Sequence, residues 1–141
     1  MAGAKIRRYA QDTKVAVGMS QQELRGLLRK AGAAQVYMGD DLDGKRIVVG
    51  FKLAERHFKI TASTDRPSRR CDQEQLEREG WRALLLIVKA KLEVVAMGHS
   101  TVETEFLANL VLPSGATVGD DVLPKVAAAY EHGDMPNLLS A

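Results

Sequence analysis

Alternating cations are the feature of this 141-residue chain with the clearest chemical meaning. Arg46, Lys52, His57 and Lys59 occupy one parity of two segments rich in β-branched and aromatic residues, so they share a face of the strands those segments predict. Lys45 and Arg56 stand at the strand ends. Arg66, Arg69 and Arg70 carry the charge into the following loop, and Lys5, Arg7 and Arg8 can reach it from the N-terminal side. Tyr37, if turned the same way, adds a ring on which an unpaired base stacks. Such clustering suits a phosphate backbone, because each neutralised phosphate releases counterions. The plainer reading is a solvated face complemented by carboxylates of the same molecule or of a second copy.

Other constellations are weaker. Cys71 follows Arg69 and Arg70, whose charge would favour a thiolate, yet one thiol without a placed base is poor evidence for a nucleophile. His57, His99 and His132 are far apart in sequence, with no paired cysteine or histidine at ligand spacing, so no metal is expected. The turn from Asp40 to Gly44 resembles half of a calcium loop but lacks its alternating aspartates and distal glutamate. Neither a glycine-rich phosphate loop nor a nucleophile elbow is present, and no cofactor is implied. No catalytic constellation stands out, so a binding protein is expected rather than an enzyme.

The formal net charge of +2 hides an asymmetry. Residues 1–70 hold 15 Lys and Arg against 7 Asp and Glu, while residues 71–141 hold 5 against 11. Much of the acidic excess falls at predicted helix starts, where the macrodipole favours it: Glu74, Glu77 and Glu79, then Glu103 and Glu105, then Asp120 and Asp121. The longest apolar run, Ala83 to Val88, is far short of the roughly 20 residues that span a bilayer. No signal peptide is read at the start, and one cysteine allows no internal disulfide, so a cytoplasmic location is expected.

These residues need elements to position them. Residues 1–19 lack periodicity and read as a basic arm, extended around Lys14–Val17. One domain is expected over residues 20–136, with a tail at residues 137–141. A helix is predicted from Ser20, through a capping box with Glu23, along the stripe Leu24, Leu27, Leu28 and Ala31 to Gly32. Strands are predicted at Gln35–Met38, Arg46–Leu53 and Arg56–Ala62. Ile47, Val49, Phe51, Leu53, Phe58 and Ile60 form their apolar face. A long helix is expected from Gln73 to Met97, burying Leu76, Trp81, Leu84, Leu85, Ile87, Val88, Leu92 and Val95, with Gly80 as a weak point in its first turns. A second capping box, Ser100 with Glu103, opens a helix burying Val102, Phe106, Leu107 and Leu110. A last helix within Val118–Glu131 uses Val122, Leu123, Val126 and Tyr130, with Pro124 in its first turn or kinking it. The order α-β-β-β-α-α-α is that of an α+β domain in which helices cover one face of a small antiparallel sheet. Its opening shares its element order with the double-stranded-RNA-binding fold, an analogy of order alone.

Two stretches carry a resemblance. One is Tyr9-Ala10-Gln11-Asp12-Thr13-Lys14-Val15 with Ser20, Leu27-Leu28 and Gly32-Ala33. The other begins at Trp81-Arg82-Ala83-Leu84-Leu85-Leu86-Ile87-Val88-Lys89-Ala90-Lys91-Leu92-Glu93. It continues through Glu105-Phe106-Leu107-Ala108, Leu112-Pro113, Thr117-Val118-Gly119, Ala129-Tyr130, Gly133 and Met135-Pro136. Together they resemble a family of small uncharacterised proteins encoded by tailed phages and prophages. The resemblance implies a phage gene product acting inside a bacterial host cell, and it assigns no site residues. The expected function is a non-enzymatic accessory protein binding nucleic acid or a nucleoprotein complex through Arg46, Lys52, His57, Lys59, Arg66, Arg69, Arg70 and Tyr37. The alternative is an inhibitor that docks on a host enzyme or host defence complex. A homodimer is compatible with the free sheet edges and the apolar helices.

Overall fold

The computed structural model describes residues 14–65 and 72–134. Three antiparallel strands, β1 (Gln35–Asp41), β2 (Arg46–Leu53) and β3 (Arg56–Ser63), lie side by side in chain order. Helices α1 (Val17–Lys30) and α2 (Gln73–Ala96) pack against each other and against the sheet. A short helix α3 (Val102–Glu105), a 3₁₀ turn (Leu107–Asn109) and helix α4 (Val118–His132) complete the α-β-β-β-α-α-α order. The chain is one small α+β domain. Among the described residues, no helix is long and apolar enough to cross a membrane.

The period-2 pattern decides which face is inside. Ile47, Val49, Phe51, Leu53, Phe58 and Ile60 are buried on one side of β2 and β3, against Leu24 and Leu28 of α1 and Trp81, Leu84, Leu85 and Val88 of α2. Each such side chain contributes about 1.5–3 kcal/mol on burial, so a one-residue slip would expose the whole set. Phe106 closes this core, its ring centroid 5.4 Å from Phe51 and 5.7 Å from Phe58. Lys91 ties α2 to that corner, donating to the Glu105 carbonyl at 2.6 Å with its ammonium 5.7 Å from the Phe106 centroid.

Several boundaries differ from the sequence expectation. The first helix starts at Val17, and Ala16, its N-cap, has no capping side chain. Ser20 is therefore no cap but a buried residue inside α1, and Glu23 instead faces Arg82 at 3.9 Å. Val17 packs on the core, which carries the apolar stripe one turn upstream. Strand β1 runs on to Asp41 because Met38–Asp41 pair with Arg46–Val49, and β3 gains Ser63 opposite Arg46. Gly80 belongs to α2 for a packing reason: a β-carbon there would stand 2.8 Å from the buried Ile47 Cδ1. Thr101, not Ser100, caps α3 by accepting from the Thr104 N–H at 3.2 Å. That helix lasts four residues, so Phe106 is buried while Leu107 points to solvent. On α2, Ile87 is exposed. On α4, Leu123 and Tyr130 are exposed, and Pro124 sits in the second turn, where it leaves the Asp120 carbonyl without its helical donor.

Candidate nucleic-acid interface

The outer face of the sheet carries the residues of the other parity. Its rows, read across the strands, are Gln35–Lys52–His57, Tyr37–Gly50–Lys59, Gly39–Val48–Thr61 and Asp41–Arg46–Ser63. Tyr37 does face outward, at the β1 end of the second row. Its ring lies over Gly50: a β-carbon on that glycine would coincide with the ring's far edge, so no larger residue fits beneath it. Tyr37 as a whole remains 48% exposed. Lys59 stands on the next strand directly beyond Gly50, and Lys52 and His57 form the adjoining row. Neither Lys52 nor His57 makes an ion pair among the described residues.

Arg46 is not part of this cluster. Six residue steps of extended chain separate it from Lys52, about 20 Å along β2. Its Nε lies 3.2 Å from Asp41 Oδ2, the carboxylate that strand pairing sets directly opposite. The Gly44 N–H donates to the other oxygen of Asp41 at 2.8 Å. That backbone bond first, and the Arg46 guanidinium second, hold the Asp41 carboxyl below its ordinary range. The Asp40–Gly44 turn thus spends its central carboxylate on closing the β1–β2 hairpin. Lys45 is likewise 3.6 Å from Asp65. The expectation that Arg46, Lys52, His57 and Lys59 stand side by side on an open cationic face is corrected in this respect. One end of the face is cationic and the other is neutralised.

The neutralised end is also walled. The chain after the 3₁₀ turn meets the edge of β3 at its His57 end, the Val111 N–H donating to the His57 carbonyl at 2.9 Å, and from there leads to the wall of the neutralised end. The chain then turns at Gly115 and enters α4, whose capping box is Thr117 with Asp120. The start of α4 faces Arg46, Val48, Lys59 and Thr61 across a cleft of about 390 Å³, lined also by Asn109, Asp120 and Leu123. The Thr117 backbone N–H and hydroxyl hold the Asp120 carboxyl below its ordinary range, with Lys59 and Arg46 assisting at longer range. Lys59 bridges the two ends. It is half-buried, and its ammonium reaches the Gly115 carbonyl at 3.5 Å, the long limit of a hydrogen bond.

Of the sequence-predicted site residues, then, Tyr37, Lys52, His57 and Lys59 come together and Arg46 is set apart. Arg66, Arg69 and Arg70 lie outside the described residues, as do Lys5, Arg7, Arg8 and Cys71. Sequence reasoning missed Gly50 as the seat of the Tyr37 ring and Asp120 as a carboxylate facing the sheet. Gly50 had a signal, being a glycine at mid-strand on the polar parity, where close approach of another group is a usual reason. Asp120 had none, because about 60 residues of chain separate it from Lys59. Among the described residues no group of three or more histidine, cysteine, aspartate or glutamate side chains could hold a metal ion. Compared with known proteins, the chain matches no family model, no curated protein and no solved structure.

Proposed function

We propose that the chain binds single-stranded nucleic acid through the open end of its outer sheet face. Tyr37 stacks a base, while Lys52, His57 and Lys59 contact flanking phosphates. The observation that carries this reading is the half-exposed Tyr37 with its ring seated on Gly50, with Lys52 and His57, which make no ion pair among the described residues, in the adjoining row and Lys59 beyond. A ring on a flat sheet with cations beside it suits an unstacked base and its backbone. Duplex is disfavoured because α4 and the Asp41–Arg46 pair occupy the far end of the face. In keeping with the sequence resemblance, the setting proposed is that of a phage accessory protein acting on replicating or recombining nucleic acid.

Fluorescence anisotropy with a labelled oligonucleotide tests it. The single strand should bind at about 50 mM salt and weaken steeply toward about 200 mM, with a duplex of the same length binding more weakly. Tyr37→Ala should lower affinity by roughly 5- to 100-fold, the worth of one stacked base. Gly50→Ala should do much the same, since it lifts the ring from its seat while leaving the buried face intact. No binding at the lower salt, or equal affinity in the Tyr37→Ala protein, overturns the reading.

A further inference from the structure

The cleft between the start of α4 and the sheet is firmly built. Gly119, the second residue of α4, lies against the Ala108 carbonyl, where a β-carbon would stand 3.0 Å from the oxygen. The Val118 N–H donates to the Leu110 carbonyl at 2.9 Å, and Thr117 and Asp120 exchange hydrogen bonds of 3.1 Å. These contacts hold Asp120 in place, which spares a ligand the cost of ordering it. The charges lining the cleft balance, Arg46 and Lys59 against Asp41 and Asp120, so it has no net pull on a phosphate. It offers directed donors and acceptors beside the apolar side chains of Val48 and Leu123, which suits a flat, neutral, polar ring. Its volume of about 390 Å³ is at the low end of the roughly 300–1,000 Å³ of small-molecule sites, room for one base with its sugar.

Building on the single-strand reading, we propose that this cleft takes an unstacked guanine, the neighbour in the strand of the base stacked on Tyr37. Val48 and Thr61, which line the cleft, form the row next to that of Tyr37 and Lys59, about 7 Å away along the strands. The Thr117 N–H takes one acceptor site of Asp120 Oδ2, and a carboxylate has about four. Guanine alone among the bases presents two adjacent donors, N1–H and the N2 amino group, on its pairing edge, and a carboxylate accepts both. Adenine and cytosine would set a ring acceptor against it, and thymine or uracil a single donor between two carbonyls. From the sheet side, Arg46 gives Asp41 only its Nε–H, and its remaining N–H donors match O6 and N7 of guanine, the acceptors that arginine most often reads. Lys59, common to the Tyr37 row and the cleft, is left for the phosphate between the two nucleotides.

Fluorescence anisotropy compares oligothymidylate with the same strand carrying one central guanine. At about 50 mM salt the guanine strand should bind at least about fivefold tighter, the discrimination of one good bidentate contact. Hypoxanthine, which lacks the N2 amino group, and a guanine with carbon in place of N7 should each lose most of that gain. Asp120→Asn should remove the preference while binding oligothymidylate no more weakly, with an unchanged far-ultraviolet circular dichroism spectrum. A guanine strand that binds no tighter than oligothymidylate, or a preference that survives Asp120→Asn, overturns the cleft assignment and leaves the single-strand reading standing. If neither strand binds, that reading falls and free guanosine decides the cleft. At about 1 mM it should shift the amide resonances of Thr61, Asn109 and Asp120 in the full chain where adenosine does not. No shift, or the same shifts with both nucleosides, overturns the cleft assignment too.

Discussion

Ser20 shows how a single side chain can be misplaced by local grammar. Followed three residues later by Glu23, it has the form of a helix cap, yet it lies inside α1, 1% exposed, with a hydroxyl that has no hydrogen-bond partner among the described residues. A buried unsatisfied hydroxyl costs roughly 1–3 kcal/mol, and alanine has the higher helix propensity. Ser20→Ala is therefore expected to stabilise the protein by about 1 kcal/mol, read as a raised urea midpoint with an unchanged slope. A lowered midpoint would show that the hydroxyl is satisfied after all. Gly80 carries the opposite lesson. Glycine inside a helix is ordinarily unfavourable by about 1 kcal/mol, but here it admits Ile47, a fully buried side chain with nowhere to retreat.

At the scale of elements, the β2–β3 hairpin stores strain. Leu53 pairs with Arg56, so Ala54 and Glu55 form a two-residue turn, and both adopt positive φ, 52° and 65°. That is the backbone of a type I′ turn, which Asn-Gly adopts easily and which is unfavourable by about 1–2 kcal/mol per residue for side chains with an ordinary β-carbon. Ala54→Asn with Glu55→Gly is expected to stabilise the fold by at least about 1 kcal/mol in the same denaturation experiment. An unchanged or lowered midpoint would mean that the turn relaxes in solution. No turn-forming residue marks this hairpin in the sequence. Its position was legible only because the flanking alternation stops at Leu53 and restarts at Arg56. The long helix was legible for a similar reason, since its buried positions recur at helical spacing. Ile87 was misassigned because the centre of α2 is apolar nearly all round, and periodicity cannot choose between two greasy sides.

At the scale of the whole molecule, the acidic C-terminal half meets the basic N-terminal half in the cleft between α4 and the sheet. Asp120 and Asp41 have lowered pKa values in the fold, so their stabilising contribution is present above the unfolded-state value of about 4 and is lost as pH falls through the lower folded values. Unfolding midpoints should therefore drop below about pH 4, and Asp120→Ala should flatten that drop while lowering stability at pH 7 through the lost cap. An equal acid response in the variant would sink this assignment. The same carboxylate repels a phosphate backbone approaching Lys59, so Asp120→Asn should tighten oligonucleotide binding by about threefold at low salt, with the gain fading at high salt. A loss of affinity would instead mean that Asp120 positions Lys59 for binding.

The α+β order, the phase of the strands and the identity of the buried face were readable from the chain alone, because alternation and helical spacing are written within a few neighbouring residues. The sequence also indicated that Lys52, His57, Lys59 and Tyr37 could share a face. Only the tertiary structure decided how much of that face remains cationic, since Asp41 reaches Arg46 through strand pairing and Asp120 reaches the sheet through a return of the chain about 60 residues later. Coulomb interactions act through space, so a charge pattern along the chain names the ions without naming their partners.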